Sequence, residues 1–296
     1  VYLAICAAIW KFQSRFVFYP LARLAESPAN YGTNVADVTI PTKLGTLHGW
    51  WMAADPSAPV ILYLHGNGGN IGAYASQAVR LRTLGYSVLI FDYRGYGQSS
   101  GPFPSESRVY EDAESAWEWL TQTALKPANS ASQAGIPAKR ICIYGHSLGG
   151  AVAIELARHH PEAAALIVES SFTSAIAMAK HLQIFRAFPL RGLLNHHFDS
   201  LAKLPELRMP VLFMHGTRDL TVPCRMSREL YAAAKEPKQL VIFRGAMHMD
   251  CGESDPALYQ KSVTEFIERA FSQGKQRVLS PKQSADSPKL GDTHLS

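Results

Sequence analysis

A chain of 296 residues, 47% hydrophobic and 18% charged, has globular composition, with room for one large α/β domain or two small ones. Its net charge of +5 sits at the ends: residues 1–24 carry +3 and residues 273–296 carry +2. The formally neutral stretch 25–272 therefore lacks the clustered Lys and Arg of a nucleic-acid groove, and the widely spaced Cys6, Cys142, Cys224 and Cys251 form neither a CxxC zinc pattern nor an evident disulfide framework.

Residues 1–10 are all apolar and are followed by Lys11 and Arg15. Ten residues of helix reach only ~15 Å, half of a ~30 Å hydrocarbon core. Three readings compete: the tail of a transmembrane anchor, a signal-sequence remnant, or a helix packed on the domain. No small-x-small cleavage site follows, and the basic flank favours an anchor. That expectation makes 1–24 a membrane attachment and places the following domain on the cytoplasmic side.

Residues 35–40 and 47–52 read as a hairpin. Residues 60–64 (VILYL) and 87–91 (SVLIF) are continuous apolar runs, as expected of strands covered on both faces. Between them 71–84 has helical spacing and stops at Gly85; 105–123 is a second helix; 124–138 is a Pro/Ser/Asn-rich loop. Strand 141–144 is followed by helix 151–157, strand 165–168, an insertion over 171–205, strand 211–214, helix 224–234, strand 239–243 and helix 256–271. The polar end, 273–296, reads as a disordered tail. Strand–helix alternation predicts an α/β fold: one domain over 25–272, with a mostly parallel sheet and helices on both faces. In such sheets functional residues gather at the carboxyl ends of the strands.

Ser147 stands at such an end, in Gly145-His146-Ser147-Leu148-Gly149 between a strand and a helix. A G-x-S-x-G in this context is a strained elbow that lifts a serine hydroxyl clear of the sheet. A hydroxyl nucleophile needs a base and a group to orient it. Asp219 follows the strand at 211–214 and His248 the strand at 239–243, giving the chain order serine, acid, histidine. Glu169 and Asp250 are rivals for the acid; Asp250 lies close to His248 in sequence, and Asp219 is the preferred orienter. The N–H of Leu148 and that of Asn67, in the glycine-rich loop after the first parallel strand, are the expected oxyanion donors. The 65–70 loop has no P-loop lysine and 95–100 fails GxGxxG, so no nucleotide site or other cofactor is expected. Asp92 is expected to brace its loop, with Arg94 or another base, and His146 to pack.

These segments (HGNGGN, DYRGYGQSSG, GHSLGGAVAIELA, ESSFTS, HGTRDLTVP and the late histidine) resemble the α/β-hydrolase superfamily, and more narrowly the membrane-anchored bud-emergence-related serine hydrolases and their α/β-hydrolase-domain relatives. The resemblance runs from about Phe16 to Phe271, including FVFYP after the apolar segment. It implies a serine hydrolase acting on lipid, ester or thioester substrates through an acyl-enzyme.

The insertion 171–205 is too short for a domain and fits a small cap, with Phe172, Leu182, Phe185 and Phe188 as candidates for an apolar acyl pocket. His181, His196 and His197 lack the carboxylate spacing of a metal site. The expected partner is a small-molecule or lipid acyl substrate. A serine peptidase or amidase is the main alternative, and a non-enzymatic membrane-associated binding protein on a hydrolase scaffold is a second.

Overall fold

The computed structural model describes residues 1–26, 30, 32, 35–122, 135–182, 185 and 187–279, the last seven by their backbone alone. Most of the expected loop at 124–138 thus lies outside the described residues.

The chain opens with helix α1 (Tyr2–Val17) and a two-residue strand β1 (Tyr19–Pro20). Strands β2 (Val35–Thr42) and β3 (Gly45–Met52) form an antiparallel hairpin whose pairing continues to Thr42↔Gly45, a tighter turn than the spacing suggested. β4 (Val60–Leu64) leads through the short β5 (Gly68–Gly69) into a 3₁₀ turn, Ile71–Tyr74, and α2 (Ala75–Thr83). Then follow β6 (Ser87–Phe91), α3 (Glu106–Gln122), β7 (Ile141–His146), α4 (Leu148–His159) and β8 (Ala165–Glu169). The insertion folds as three one- or two-turn helices, α5 (Ala175–His181), α6 (Leu190–Leu193) and α7 (Ser200–Lys203). β9 (Val211–Gly216), α8 (Arg225–Ala233), β10 (Lys238–Phe243), α9 (Cys251–Ser254) and α10 (Pro256–Leu279) complete the chain. α10 runs to Leu279, so the expected tail begins as helix; residues 280–296 lie outside the described residues.

Eight strands make one sheet in the order β2-β3-β6-β4-β7-β8-β9-β10, parallel from β6 to β10. Alternation along each central strand divides the core. Val60, Leu62 and Leu64 of β4 face a layer with α3, α4 and α8, while Ile61 and Tyr63 face one with α2 and α10. On α3 the buried residues Val109, Ala113, Ala116, Trp117 and Leu120 recur at helical spacing, so one apolar stripe covers that face. The chain passes from β4 to β6 on one side and then to β7 on the other. This reversal of strand order opens a crevice beyond the carboxyl ends of β4 and β7. The loop containing Asn67 leaves the first of these strands and Ser147 the second.

The N-terminal segment folds as a helix packed on the domain, one of the three readings its sequence allowed. Among the described residues no helix is long and apolar enough to cross a membrane. α1 instead packs on the insertion. Cys6, Ile9 and Gln13 are buried on one stripe. Tyr2 stacks on Phe188 at 5.6 Å between ring centroids, and Ser14 Oγ lies 2.7 Å from His196 Nε2. A polar Gln and Ser spaced to meet backbone and histidine partners give this helix a protein-facing side that the apolar count alone concealed.

Candidate active site

Ser147 has φ 55° and ψ −119°, a left-handed conformation that costs energy for a residue with a Cβ. The elbow is held from the end of the neighbouring strand β8. The Ser147 N–H donates to the Glu169 carbonyl at 2.9 Å, and the Ser171 hydroxyl donates to the Ser147 carbonyl at 2.8 Å. The flanking glycines are steric necessities: a Cβ on Gly145 would overlap the Gly149 carbonyl oxygen, and one on Gly149 would overlap that of Leu64.

The three candidate residues from separate strand ends meet in one series. His248 Nε2 lies 2.9 Å from Ser147 Oγ, and His248 Nδ1 lies 2.7 Å from Asp219 Oδ2. The other oxygen, Asp219 Oδ1, accepts the N–H groups of Thr221 and Val222, both at 2.8 Å. Burial alone would raise the Asp219 carboxyl. Hydrogen bonds from His215 and His248 and from the Val222 N–H outweigh it and hold the group well below the usual carboxylate range. Asp219 is therefore an anion, which fixes the proton of a neutral His248 on Nδ1 and leaves Nε2 to accept from Ser147.

The rivals for the acid are engaged elsewhere. Glu169 accepts a hydrogen bond from the Tyr144 hydroxyl, which also lies 2.9 Å from the Tyr259 hydroxyl. Asp250 Oδ1 accepts the Met247 N–H at 2.5 Å.

Two further histidines brace the site: His215, which sequence reasoning left unassigned, and His146, which it expected to pack. His215 is fully buried, with Nε2 3.0 Å from Asp219 Oδ2 and Nδ1 2.6 Å from Ser227 Oγ. Its spacing to Asp219 in HGTRD was the available signal. His146 is buried and its Nε2 lies 2.9 Å from the His248 carbonyl, which anchors the histidine loop to the elbow. Burial lowers its pKa, keeping the ring neutral.

Leu148 is the first residue of α4, where N–H groups have no intrahelical partner. Asn67 faces the same cavity as Ser147 and Leu148. Its carbonyl accepts from the Tyr19 N–H at 2.9 Å and the Tyr96 hydroxyl at 2.7 Å, and its side-chain amide donates to the Val17 carbonyl at 2.9 Å. These bonds fix the Asn67 peptide at the cavity wall.

Behind this loop lies a second acid–histidine pair. Asp92 Oδ1 accepts the Ile71 N–H at 2.8 Å and lies 3.5 Å from His65 Nε2, both side chains fully buried. Burial pushes Asp92 up to about 8 and His65 down to about 4. The pairing expected with Arg94 is not formed. Arg94 is bound instead by Asp112, at 2.6 Å, and by Glu111, at 3.1 Å, both from α3.

The cavity in front of Ser147 measures about 320 Å³ and is mostly apolar. Phe172, Leu182 and Phe185 line it. Phe188 does not: it stacks on Tyr2 and borders a separate surface depression with Lys180 and Arg191. The N-terminal Ile9, Gln13, Phe16 and Val17 contribute to the wall, a role the sequence did not suggest. No carboxylate lines the cavity among the described residues. Nor, among these, does any group of three His, Cys, Asp or Glu side chains stand where it could hold a metal.

Comparison with known proteins places these features. The family described as serine aminopeptidase, S33, matches residues 55–200 and 183–255. The chain is 33% identical over 288 residues to the α/β hydrolase domain-containing protein WAV2 of Arabidopsis thaliana, covering 89% of this chain and 90% of that protein. It is 36% identical over 201 residues to the lysophosphatidylserine lipase ABHD12 of Danio rerio, covering 62% of this chain and 49% of that one. The fold is similar to that of the esterase Pf2001 of Pyrococcus furiosus, with a TM-score of 0.68, 23% identity, and 86% and 97% of the two chains covered.

Proposed function

Since the chain belongs to the serine aminopeptidase S33 family of α/β-hydrolases, we propose that it is a serine hydrolase cleaving carboxylic ester or thioester bonds of substrates with an apolar acyl group. The observation that carries this reading is the unbroken series Asp219–His248–Ser147, at 2.7 and 2.9 Å, ending at an apolar cavity. Ser147 Oγ attacks the acyl carbonyl carbon while His248 Nε2 takes its proton. The carbonyl oxygen becomes an oxyanion bound by the N–H groups of Leu148 and Asn67. The carbonyl reforms as the alcohol or thiol leaves, carrying the proton from His248. Water, deprotonated by the same histidine, then attacks the acyl-enzyme; the acid leaves and Ser147 regains its proton. Asp219 holds the imidazole and balances its transient charge.

An aminopeptidase reading is the alternative, favoured by the family's description. It requires an anion to receive a substrate ammonium group, and the cavity's described lining has no carboxylate. Long aliphatic and aromatic walls suit an acyl chain instead.

The same reading includes peripheral attachment to a lipid surface. The outer face of α1 exposes Trp10 and Phe12 beside the cations Lys11 and Arg15, the composition of an interfacial helix. Sedimentation with anionic vesicles tests this: Trp10→Ala/Phe12→Ala should reduce the bound fraction, and equal binding of both proteins would count against it.

Activity is tested with acyl esters, thioesters and peptide amides of matched size. Ser147→Ala should lower kcat by about 10⁴-fold or more on esters and thioesters, and a fluorophosphonate should label Ser147. Preference for the amides, or labelling at another residue, would overturn the proposal.

A further inference from the structure

The segment first read as a membrane attachment is built into the substrate cavity. One face of α1 turns Ile9, Gln13 and Val17 towards the cap at helical spacing, and Phe16 joins them in lining the cavity that Ser147 faces. The contact is specified by polar groups as well as by apolar packing. Gln13 Oε1 accepts the N–H groups of Asn195 and His196, at 2.5 and 3.2 Å, and its Nε2 donates to the carbonyls of Trp10 and Leu193, at 2.8 and 3.3 Å. One buried amide thereby satisfies backbone groups of α1 and of the chain at the end of α6, at the corner that joins α1 to the cap.

At its other end the helix is tied to the loop that carries Asn67. Asn67 Nδ2 donates to the Val17 carbonyl, the Tyr19 N–H donates to the Asn67 carbonyl, and the Leu21 N–H donates to the Gly69 carbonyl, all at 2.9 Å. β1 and β5 pair in parallel over these residues. A single segment thus bridges cap and oxyanion loop and closes the space between them.

The size of that space limits its occupant. An apolar cavity of ~150 Å³ accepts a benzene ring of six carbons. At about 320 Å³ this one is roughly twice as large and takes a chain of about ten to twelve carbons by the same measure. From this we infer that Ile9, Phe16 and Val17 form a specificity-determining wall of the acyl site and set the acyl length it accepts. Gln13 is the positioning residue that holds this wall against the cap. The inference rests on the serine-hydrolase reading for its chemistry, but the cavity and its wall can be tested without turnover.

Two readouts separate the two claims. The first is kcat/KM on p-nitrophenyl esters of saturated acids from about four to sixteen carbons. The second is displacement of a fluorescent fatty acid by saturated fatty acids of the same lengths. The wild type should peak near ten to twelve carbons in both. Ile9→Trp should lower the ratio of twelve-carbon to four-carbon values about tenfold, the effect of expelling roughly two methylenes. Phe16→Ala, at a half-exposed position that tolerates truncation, should shift the peak to longer chains. Leu3→Trp, on the exposed outer face, should leave both profiles in place. Length-dependent binding that shifts in the variants without ester turnover would sustain this inference and sink the hydrolase reading. Turnover with an unshifted length profile in both Ile9→Trp and Phe16→Ala would do the reverse, and fatty-acid binding that is absent or blind to length would overturn the wall.

Discussion

The pairs Asp219–His248 and Asp92–His65 lie at the same end of the sheet, and their surroundings give them opposite electrical states. Asp219 and His248 meet at 2.7 Å with two backbone N–H groups and His215 also directed at the carboxylate. Donors outweigh burial there, and the acid stays ionised. Asp92 and His65 stand 3.5 Å apart among Tyr74, Tyr93 and Tyr96. A single backbone N–H reaches Asp92, and burial raises the acid to about 8 while lowering the histidine to about 4. At neutral pH this second pair is an uncharged acid beside an uncharged ring. Residue type does not decide between an ion and a neutral brace; the number of donors delivered to the carboxylate does.

The difference can be broken at either pair. Asp219→Asn preserves shape but removes the anion and allows the wrong imidazole tautomer, so kcat on an activated ester should fall about 10⁴-fold. Asp92→Leu should do the opposite. It leaves the Ile71 N–H buried opposite an apolar group, at a cost of about 2 kcal/mol in urea-induced unfolding, while the protein that remains folded keeps its turnover. His215→Leu removes one charge-assisted bond to Asp219 and should lower kcat about tenfold; an unchanged kcat would show that His215 only fills space.

The smallest effect is a pH dependence. Unfolded Asp and His titrate near ~3.9 and ~6.5. Between about pH 4 and 6.5 native Asp92 holds a proton that the unfolded chain has lost, while native His65 lacks one that the unfolded chain keeps, and the two act in opposite directions. From about 6.5 to 8 only Asp92 differs. The native state then binds more protons, so stability falls as pH rises and levels off above 8. Asp92→Asn should abolish that decline relative to the wild type in urea midpoints measured from pH 5 to 8.5. Parallel curves for the two proteins would mean that Asp92 is already ionised in the fold.

Much of this end of the molecule was legible in the chain because local chemistry imposed it. VILYL and SVLIF are strands because each is buried on both faces. Gly145 and Gly149 flank Ser147 because neighbouring backbone leaves no room for a Cβ, and the order of Ser147, Asp219 and His248 follows from the strands that deliver them. The tertiary structure decided what depends on competition between distant groups. Tyr144 claims Glu169 and leaves Asp219 to the histidine. Asp112 and Glu111 of α3 claim Arg94 and leave Asp92 facing His65. Phe185 enters the cavity while Phe188, three residues on, turns to Tyr2. The apolar start of the chain closes on the cap because Gln13 finds its backbone partners there. Periodicity reports which residues avoid water; which partner satisfies a buried polar group is fixed only when segments far apart in the chain are brought within hydrogen-bonding distance.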